Sequence, residues 1–226
     1  MCNLYSMTKP QQAVRDLARV ANDMTGNLPS LPSIFPDMMA PVVIQAPPSN
    51  TRELLMMRWG FPHSAPLPGE RPRPGYVTNA RHTDSVVWRP YLLRTELRCL
   101  VPATSFCEPD NRSGSTVWTW YALDESRPMF FFAGIWRSWT GPRGTKRHPV
   151  DGEHLLFSFL TTTPNAEVAA VHPKAMPVLL LDEAARETWL NGTVDEALKL
   201  QLPAPDGTLR IVRTGDKEDS PSLLSR

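Results

Sequence analysis

The fold is decided by the apolar run Met129-Phe130-Phe131-Phe132-Ala133-Gly134-Ile135-Trp136. A short run that is rich in aromatic residues is typical of a strand buried in a protein core. Similar runs precede and follow it along the chain, bounded by turn-forming residues. We therefore predict strands at residues 54–59, 97–101, 117–122, 129–136, 154–161 and 178–181.

Proline limits the length of the helices in this chain. The sequence has 24 prolines among 226 residues, about twice the usual share, and a proline inside a helix removes a hydrogen bond and clashes with the preceding turn. Helical spacing of apolar residues occurs mainly near the two ends of the sequence. The predicted helices are residues 9–24, opened by a Thr8–Gln11 capping box, a helix through Leu190 capped by Asp182, and residues 194–200, opened by a Thr193–Glu196 capping box.

The order of these elements indicates one domain. Strands occupy the middle of the chain without alternating with helices, so the sequence predicts an α+β fold with a mostly antiparallel, barrel-like β core and flanking short helices. We assign residues 1–213 to this single domain. The proline-rich residues 28–48 are expected to form a surface loop, and the polar residues 214–226 a flexible C-terminal tail.

Composition narrows the class of protein. No uninterrupted apolar stretch approaches the ~18 residues of a membrane span, and no charged start leads into an apolar run, so we expect a cytoplasmic protein with no membrane partner. The three cysteines, Cys2, Cys99 and Cys107, form neither an even set nor a Cys-x-x-Cys pair. This pattern is expected where thiols stay reduced.

The net charge of +1 is distributed unevenly. Residues 71–81 and 137–148 carry basic side chains and no acidic one. Such segments can follow the phosphates of a nucleic acid even when the whole protein is nearly neutral. They can equally be solvated loops, so composition leaves both interpretations open.

Cys2 has the most unusual chemistry in the sequence. Methionine is routinely removed when a small residue follows it, and removal of Met1 leaves a free amine and a thiol on one residue. The amine can condense with an aldehyde to an imine, and the thiol can then close onto the imine carbon as a five-membered thiazolidine. Because the pKa of an α-amine is about 7.8 and that of a thiol about 8.5, a useful fraction of each is deprotonated at neutral pH.

Other segments carry polar groups suited to a site near Cys2. Asn79 offers a neutral donor and acceptor, and Arg81 offers a fork that matches a phosphate or carboxylate. Glu108 is the only acid of residues 99–109, where a raised pKa is expected. His172 lies in a proline-fixed turn. Taken singly, each of these residues also suits an ordinary surface or turn position.

Together and in order, these segments resemble the SRAP family (SOS response-associated peptidase), which is also described as a sensor of abasic sites in single-stranded DNA. The resemblance covers about residues 1 to 200 and rests on many short matches rather than one long motif. The matching segments are Met1-Cys2, Arg58-Trp59-Gly60, Asn79-Ala80-Arg81, Arg98-Cys99-Leu100-Val101-Pro102, Glu108, Ala133-Gly134-Ile135-Trp136, Thr161-Thr162-Thr163-Pro164-Asn165, His172 and Met176-Pro177.

The resemblance implies a reaction in which the processed Cys2 forms a thiazolidine with the ring-opened aldehyde of an abasic deoxyribose. The resemblance also implies that Glu108 moves protons during ring opening and imine formation, and that Asn79 orients the sugar or the amine. His172 assists proton transfer. The implied catalytic residues are thus Cys2, Asn79, Glu108 and His172. Whether the protein also has lyase or peptidase activity is left open by the sequence.

The implied partner is single-stranded DNA that contains abasic sites. Trp59 is expected to stack a base, and Arg81 and Lys174 are expected to hold phosphates. A monomer is expected, associated with the nucleoid when bound to DNA. No cofactor and no metal are predicted, since the cysteines and histidines show no recognised zinc spacing.

The chain departs from the family pattern at three places. Asn3-Leu4 stands where many members have Gly-Arg after the cysteine, so one basic DNA contact is missing there. Ser105-Phe106-Cys107-Glu108-Pro109 keeps the acid of the usual Gly-Phe-Tyr-Glu-Trp but loses an aromatic wall, because Cys107 and Pro109 stand where the pattern has Tyr and Trp. His172 is separated from Met176 by one residue more than in the usual His-x-x-Met-Pro spacing, and Lys174 supplies a positive charge in that turn.

Two other classes of function fit parts of the sequence. An N-terminal-nucleophile cysteine hydrolase, a peptidase or an amidotransferase, also uses a cysteine exposed by removal of methionine, but its Gly-rich oxyanion loop is not evident. A non-catalytic single-strand binder would use the tryptophans of the predicted strands for stacking, although such tryptophans more often lie in a core. These are Trp59, Trp118, Trp120 and Trp136.

Overall fold

The computed structural model of the protein describes residues 2–63, 75–145 and 147–220. The strands are β1 (Tyr5–Met7), β2 (Asn22–Asp23), β3 (Leu31–Ile34), β4 (Met39–Ala46), β5 (Thr51–Trp59), β6 (Phe61–Pro62), β7 (Tyr76–Val77), β8 (Asn79–Ala80), β9 (Arg98–Ala103), β10 (Ser105–Asp110), β11 (Val117–Ala122), β12 (Phe130–Thr140), β13 (Arg143–Gly144), β14 (Pro149–Val150), β15 (Glu153–Thr162), β16 (Met176–Pro177), β17 (Leu179–Leu180) and β18 (Arg210–Thr214). The helices are α1 (Gln11–Ala18), α2 (Arg89–Leu92), α3 (Ala166–Ala169), α4 (Glu183–Asn191) and α5 (Val194–Leu198), and a 3₁₀ turn covers Thr95–Leu97.

Five strands close into a barrel. Strand β5 pairs with β4, β4 with β9, β9 with β12 and β12 with β15, all antiparallel, and β15 returns to β5 in parallel. The closing contact is short, with Leu156 opposite Arg58 and Phe157 opposite Trp59. The predicted α+β fold with a mostly antiparallel, barrel-like core is confirmed, and each of the six predicted strands is present.

The apolar run of residues 129–136 lies in the wall of this barrel, in β12. Its Phe132 ring packs 4.6 Å from the ring of Phe159 in the core. At Gly134 a Cβ atom would lie 2.6 Å from Cys99 Sγ, so only glycine lets β12 and β9 approach this closely. Trp189 of α4 joins β9 and β12 at this position, because its Nε1–H donates to the carbonyl oxygens of Cys99 and Gly134.

A second sheet carries the amino-terminal strand and packs against the barrel. Its strand order is β18-β11-β10-β1-β3, with antiparallel pairing throughout. One face places Tyr5 and Phe106 in the main core, and the other places Leu4 and Cys107 in a smaller apolar cluster. The amino terminus therefore begins between two packed layers.

The predicted tail is attached to the fold at Thr214 and at Asp219, although residues 214–218 and 220 are exposed. Thr214 ends β18, and Asp219 is fully buried, where it pairs with Arg127 at 2.9 Å and accepts a hydrogen bond from Ser105 Oγ at 2.5 Å. Partnered charges are stable inside a protein, so the polar composition of this segment does not prevent the burial of Asp219. Residues 221–226 lie outside the described residues.

The predicted surface loop at residues 28–48 is also wrong, because this segment contributes strands β3 and β4. Strand β4 is a wall of the barrel and is almost entirely buried. Its Pro41 precedes the part of β4 that pairs with β9, at Val43 and Ile44, so the missing N–H is not needed in that ladder. Proline content misled the prediction, since a proline at such a position does not interrupt a strand.

Helix caps were predicted correctly near the carboxy terminus and incorrectly near the amino terminus. Asp182 accepts a hydrogen bond from Ala185 N–H at 2.7 Å to begin α4, and the Thr193–Glu196 capping box begins α5. Helix α1 is shorter than predicted, and Pro10 precedes it without any side-chain cap from Thr8. Within the described ranges, no helix is long and apolar enough to cross a membrane.

Candidate active site

Strand pairing places the amino terminus beside Glu108. Just before β1 begins, Leu4 O accepts a hydrogen bond from Cys107 N–H at 2.9 Å, so the two segments stay aligned towards Cys2. Side chains alternate along a strand, and Glu108 therefore shares the barrel-facing side of β10 with Phe106. The local fold brings the first residues of the chain to an acid more than a hundred positions later.

Cys2 is fully buried, and its Sγ–H donates to Leu4 O at 3.4 Å. Burial raises the pKa of the thiol well above its usual value, and the negative charge of Glu108 raises this pKa further. This is the unprocessed chain, in which the nitrogen of Cys2 still belongs to a peptide bond. The amine becomes a nucleophile only after Met1 is removed.

Glu108 is a fully buried carboxyl group. Neither of its oxygens accepts a hydrogen bond from the part of the chain that the structure describes. Burial disfavours the charged form and raises the pKa of Glu108 to about 8. Glu108 therefore holds its proton at neutral pH and can act as an acid.

His172 faces this acid from the turn after α3. Its Nε2 lies 3.7 Å from Glu108 Oε2. Burial lowers the pKa of His172 to about 4, and the positive charge of Lys174 contributes to the same shift. Between about pH 4 and about pH 8 the pair thus holds one ionisable proton, on Glu108, beside a neutral imidazole that can accept another.

Asn79 reaches the site through β8, which pairs in parallel with β15. Its side chain is almost fully buried, and its Nδ2–H donates to Thr78 O at 2.9 Å. Its Oδ1 has no hydrogen-bond partner among the described residues. Thr78 Oγ1–H donates to Asn3 Oδ1 at 2.8 Å, so the segment that carries Asn79 is tied to the residue next to Cys2.

Arg81 and Lys174 differ in how they are held. Arg81 is partly buried, and its Nη1 is buried without a partner in the described ranges. Lys174 is exposed in the turn that carries His172. Both positions suit contacts to an anion, and Arg81 has the better defined geometry.

Trp59 does not have the role that was predicted for it. The ring is fully buried, packs 5.1 Å from Tyr5 and 5.2 Å from Phe159, and donates its Nε1–H to Thr78 O. No face of the ring is open to a DNA base, so stacking by Trp59 is excluded. Trp120 is fully buried as well, and both rings contribute to packing.

The basic segments also need correction. Arg143 is buried, pairs with Asp37 at 2.8 Å and stacks 3.8 Å from the Tyr76 ring centre, so it is unavailable to phosphate. Arg137 Nη1–H donates to Tyr91 Oη. Residues Arg71, Arg73 and Lys146 lie outside the described residues.

The structure therefore brings Glu108 and His172 together and places Cys2 close enough to Glu108 for its charge to act on the thiol. It connects Asn79 to the residue next to Cys2 through Thr78 and Asn3. The sequence did not indicate that Thr78 and Asn3 make this connection. Thr78 carried no signal beyond its place before Asn79, and Asn3 was noted only as a departure from a family pattern. A hydrogen bond between side chains 75 positions apart leaves no trace in a single sequence.

A family model described as SOS response associated peptidase (SRAP) matches residues 1–217. The chain belongs to the SRAP family. The match includes Cys2, Asn79, Glu108 and His172 and extends through β18. The family that was inferred from short motifs is thereby confirmed.

Relatives of this SRAP protein are found in Bacillus subtilis. It is 31% identical over 146 residues to the abasic site processing protein YoqW, in an alignment that covers 63% of this chain and 59% of that relative. It is 28% identical over 184 residues to the abasic site processing protein YobE, covering 78% of this chain and 77% of the relative. The chain thus spans about three fifths of the length of YoqW.

Two crystal structures share the SRAP fold with this chain. A protein from Bordetella bronchiseptica superposes with a TM-score of 0.70 at 21% identity, covering 95% of this chain and 98% of the other. A protein from Bacteroides thetaiotaomicron gives a TM-score of 0.68 at 20% identity, covering 92% and 90%. At these identities the similarity establishes the architecture and nothing further.

Proposed function

We propose that this SRAP protein processes abasic sites in DNA by forming a covalent thiazolidine crosslink through Cys2 after removal of Met1. The observation that carries the proposal is the pairing of the buried Glu108 with the partly buried His172, close enough to Cys2 for the charge of Glu108 to act on its thiol. A protonated acid and a neutral base at one point suit a reaction that needs several proton transfers. The names of the Bacillus subtilis relatives support the same substrate class.

The first step is opening of the sugar ring. An abasic deoxyribose is mostly a closed hemiacetal, and the aldehyde forms when the ring oxygen gains a proton and the anomeric hydroxyl loses one. Glu108 donates the first proton, and neutral His172 accepts the second. General acid and base help of this kind contributes roughly 10²- to 10⁴-fold per group.

The second step joins the aldehyde to Cys2. The amine adds to the aldehyde carbon, the resulting hydroxyl leaves as water after protonation, and an imine remains. The sulfur then adds to the imine carbon while the thiol proton ends on nitrogen. The sum is aldehyde plus aminothiol giving thiazolidine plus one water, with no oxidant or metal required.

The polar groups around Cys2 have distinct roles in this scheme. Asn79 Oδ1, which lacks a partner among the described residues, accepts a hydrogen bond from the sugar or the amine. Arg81 holds a phosphate with its Nη1, which has no partner in the described ranges, and Lys174 adds positive charge. We infer single-stranded DNA as the substrate, because a flexible strand can deliver one sugar to a buried nucleophile more readily than a duplex.

Intact mass tests the proposal directly. The purified protein is expected to lack one methionine. After incubation with a single-stranded oligonucleotide that contains one abasic site, its mass should rise by that of the DNA less one water. A matched oligonucleotide with a tetrahydrofuran analogue, which cannot form an aldehyde, is the control. Absence of an adduct from protein that has lost Met1 would rule out the proposed reaction.

Replacing Arg81 by alanine is expected to weaken binding of single-stranded DNA, because one phosphate contact is lost. The dependence of log Kd on log salt should become shallower by about 0.7, so the defect is largest at low salt. The measurement is a titration at several salt concentrations. Arg19→Ala is the matched control, since Arg19 is exposed and pairs with Glu183. An unchanged salt slope in Arg81→Ala would remove Arg81 from the DNA contacts.

A further inference from the structure

Gln201, just beyond α5, joins two segments that meet at the candidate site. Its side-chain Nε2 donates to Arg81 O and to Thr161 O, each at 2.9 Å. Arg81 follows β8, and Thr161 lies near the end of β15. One amide group therefore bridges the backbones of the two segments.

This bridge continues the β8–β15 ladder by one position. In that ladder Asn79 lies opposite Phe159, and Ala80 lies opposite Leu160. The next pair in this register is Arg81 and Thr161. Their carbonyl oxygens are joined through the Gln201 amide, so the segment stays attached to β15 at the place where β8 ends.

Gln201 is itself held on both sides. Its Oε1 accepts a hydrogen bond from Thr83 Oγ1–H at 2.9 Å, and its main-chain O accepts one from Thr162 Oγ1–H at 3.1 Å. Its N–H donates to Leu198 O at the end of α5. Gln201 is therefore held against β15, and its side chain contacts the backbone of Arg81 and the side-chain hydroxyl of Thr83.

The backbone of Arg81 determines where the guanidinium group can reach. Arg81 Nη1 is buried without a partner in the described part of the chain, and no ion pair there holds the side chain. Its position thus depends on the backbone that carries it. We propose that Gln201 is a positioning residue that aims Arg81 at a DNA phosphate, an inference that rests on the proposed function.

The test replaces Gln201 by methionine, which keeps the length and neutrality of the side chain and removes its donor and acceptor. Binding of single-stranded DNA should weaken about tenfold, the effect of losing one hydrogen bond to a charged group. The salt slope should fall to that of Arg81→Ala. In the Arg81→Ala background, Gln201→Met should have no further effect, because coupled residues are not additive.

Two further measurements separate positioning from folding. The rate of adduct formation at saturating abasic DNA should match the wild type in Gln201→Met, since Cys2 and Glu108 are untouched. Thr83→Val removes only the hydrogen bond to Gln201 Oε1 and should weaken binding less than Gln201→Met, with both Nε2 contacts retained. If Gln201→Met is too unstable to assay, Thr83→Val carries the same double-mutant test against Arg81→Ala.

The outcomes distinguish the two proposals, because binding can be measured on single-stranded DNA with or without an abasic site. Additive defects, or a wild-type salt slope in Gln201→Met, would overturn the positioning role and leave the crosslinking reaction intact. Wild-type protein that binds single-stranded DNA but forms no adduct would overturn the reaction alone. Wild-type protein that binds no single-stranded DNA would overturn both.

Discussion

Replacing Cys2 by alanine is expected to abolish the stable adduct with abasic single-stranded DNA. Alanine leaves the amine, which can still form an imine, but without the thiol the imine cannot close to a thiazolidine. The measurement is denaturing electrophoresis after incubation and heating. Stable crosslinking by Cys2→Ala at the wild-type level would disprove the thiazolidine mechanism.

Two variants complete this prediction. Cys2→Ser should give only a labile imine that borohydride traps, whereas the wild-type adduct should survive without reduction. Cys107→Ala is the matched control, because Cys107 is also buried but faces the outer cluster on the opposite side of β10. Blocking removal of Met1 should be as damaging as losing the thiol, since the amine then stays in a peptide bond.

Replacing Glu108 by glutamine is expected to slow adduct formation by at least about 10²-fold, because an amide cannot exchange a proton with the sugar or the imine. Binding of DNA should persist. Single-turnover crosslinking at saturating protein measures the rate without contribution from affinity. A Glu108→Gln protein with the wild-type rate would transfer the proton-donor role to His172 or to solvent.

The pH profile supplies a second readout of the same variant. Glu108 is protonated below its pKa of about 8 and loses its proton above it, so the wild-type rate should fall as pH rises beyond that value. The Cys2 amine must be deprotonated to add to the aldehyde, so the rate should rise with pH on the acid side, where an ordinary α-amine with a pKa of about 7.8 is mostly protonated. Glu108→Gln should lose the fall at high pH and keep the rise. His172→Ala should cost less in the forward direction than Glu108→Gln.

Local signals in the sequence were enough to predict the main elements of the fold. The run of residues 129–136 is aromatic because it lines a core, and Asp182 and Thr193 cap helices through contacts within a few residues. Interactions of this range depend on neighbouring side chains, so a single sequence contains them. The predicted tail and surface loop failed because their stability comes from distant partners. Asp219 is buried through Arg127, and β4 is a strand through β5 and β9.

The same distinction applies to the site. Glu108 was predicted from an isolated acid in an apolar segment, but its 3.7 Å contact with His172 depends on how the turn after α3 lies against β10. Trp59 was misassigned because an aromatic residue in a strand looks the same whether it lines a core or a groove. Gln201 could not be found, since a glutamine after a short helix has no distinctive pattern and its partners lie 40 and 120 positions away.

The ribosome synthesises β1 long before β10, the strand with which it pairs. Ser6 and Ser105, whose hydroxyl oxygens are 2.7 Å apart, are separated by 99 positions in the chain. At roughly 5–20 residues per second, the ribosome delivers β10 roughly 5–20 s after β1. During that interval the strand that follows Cys2 lacks β10, one of its two neighbours in the sheet, and an aminopeptidase can reach the nascent amino terminus. Once β1 is seated, Cys2 is fully buried. We therefore expect Met1 to be removed during translation, before the finished fold buries Cys2.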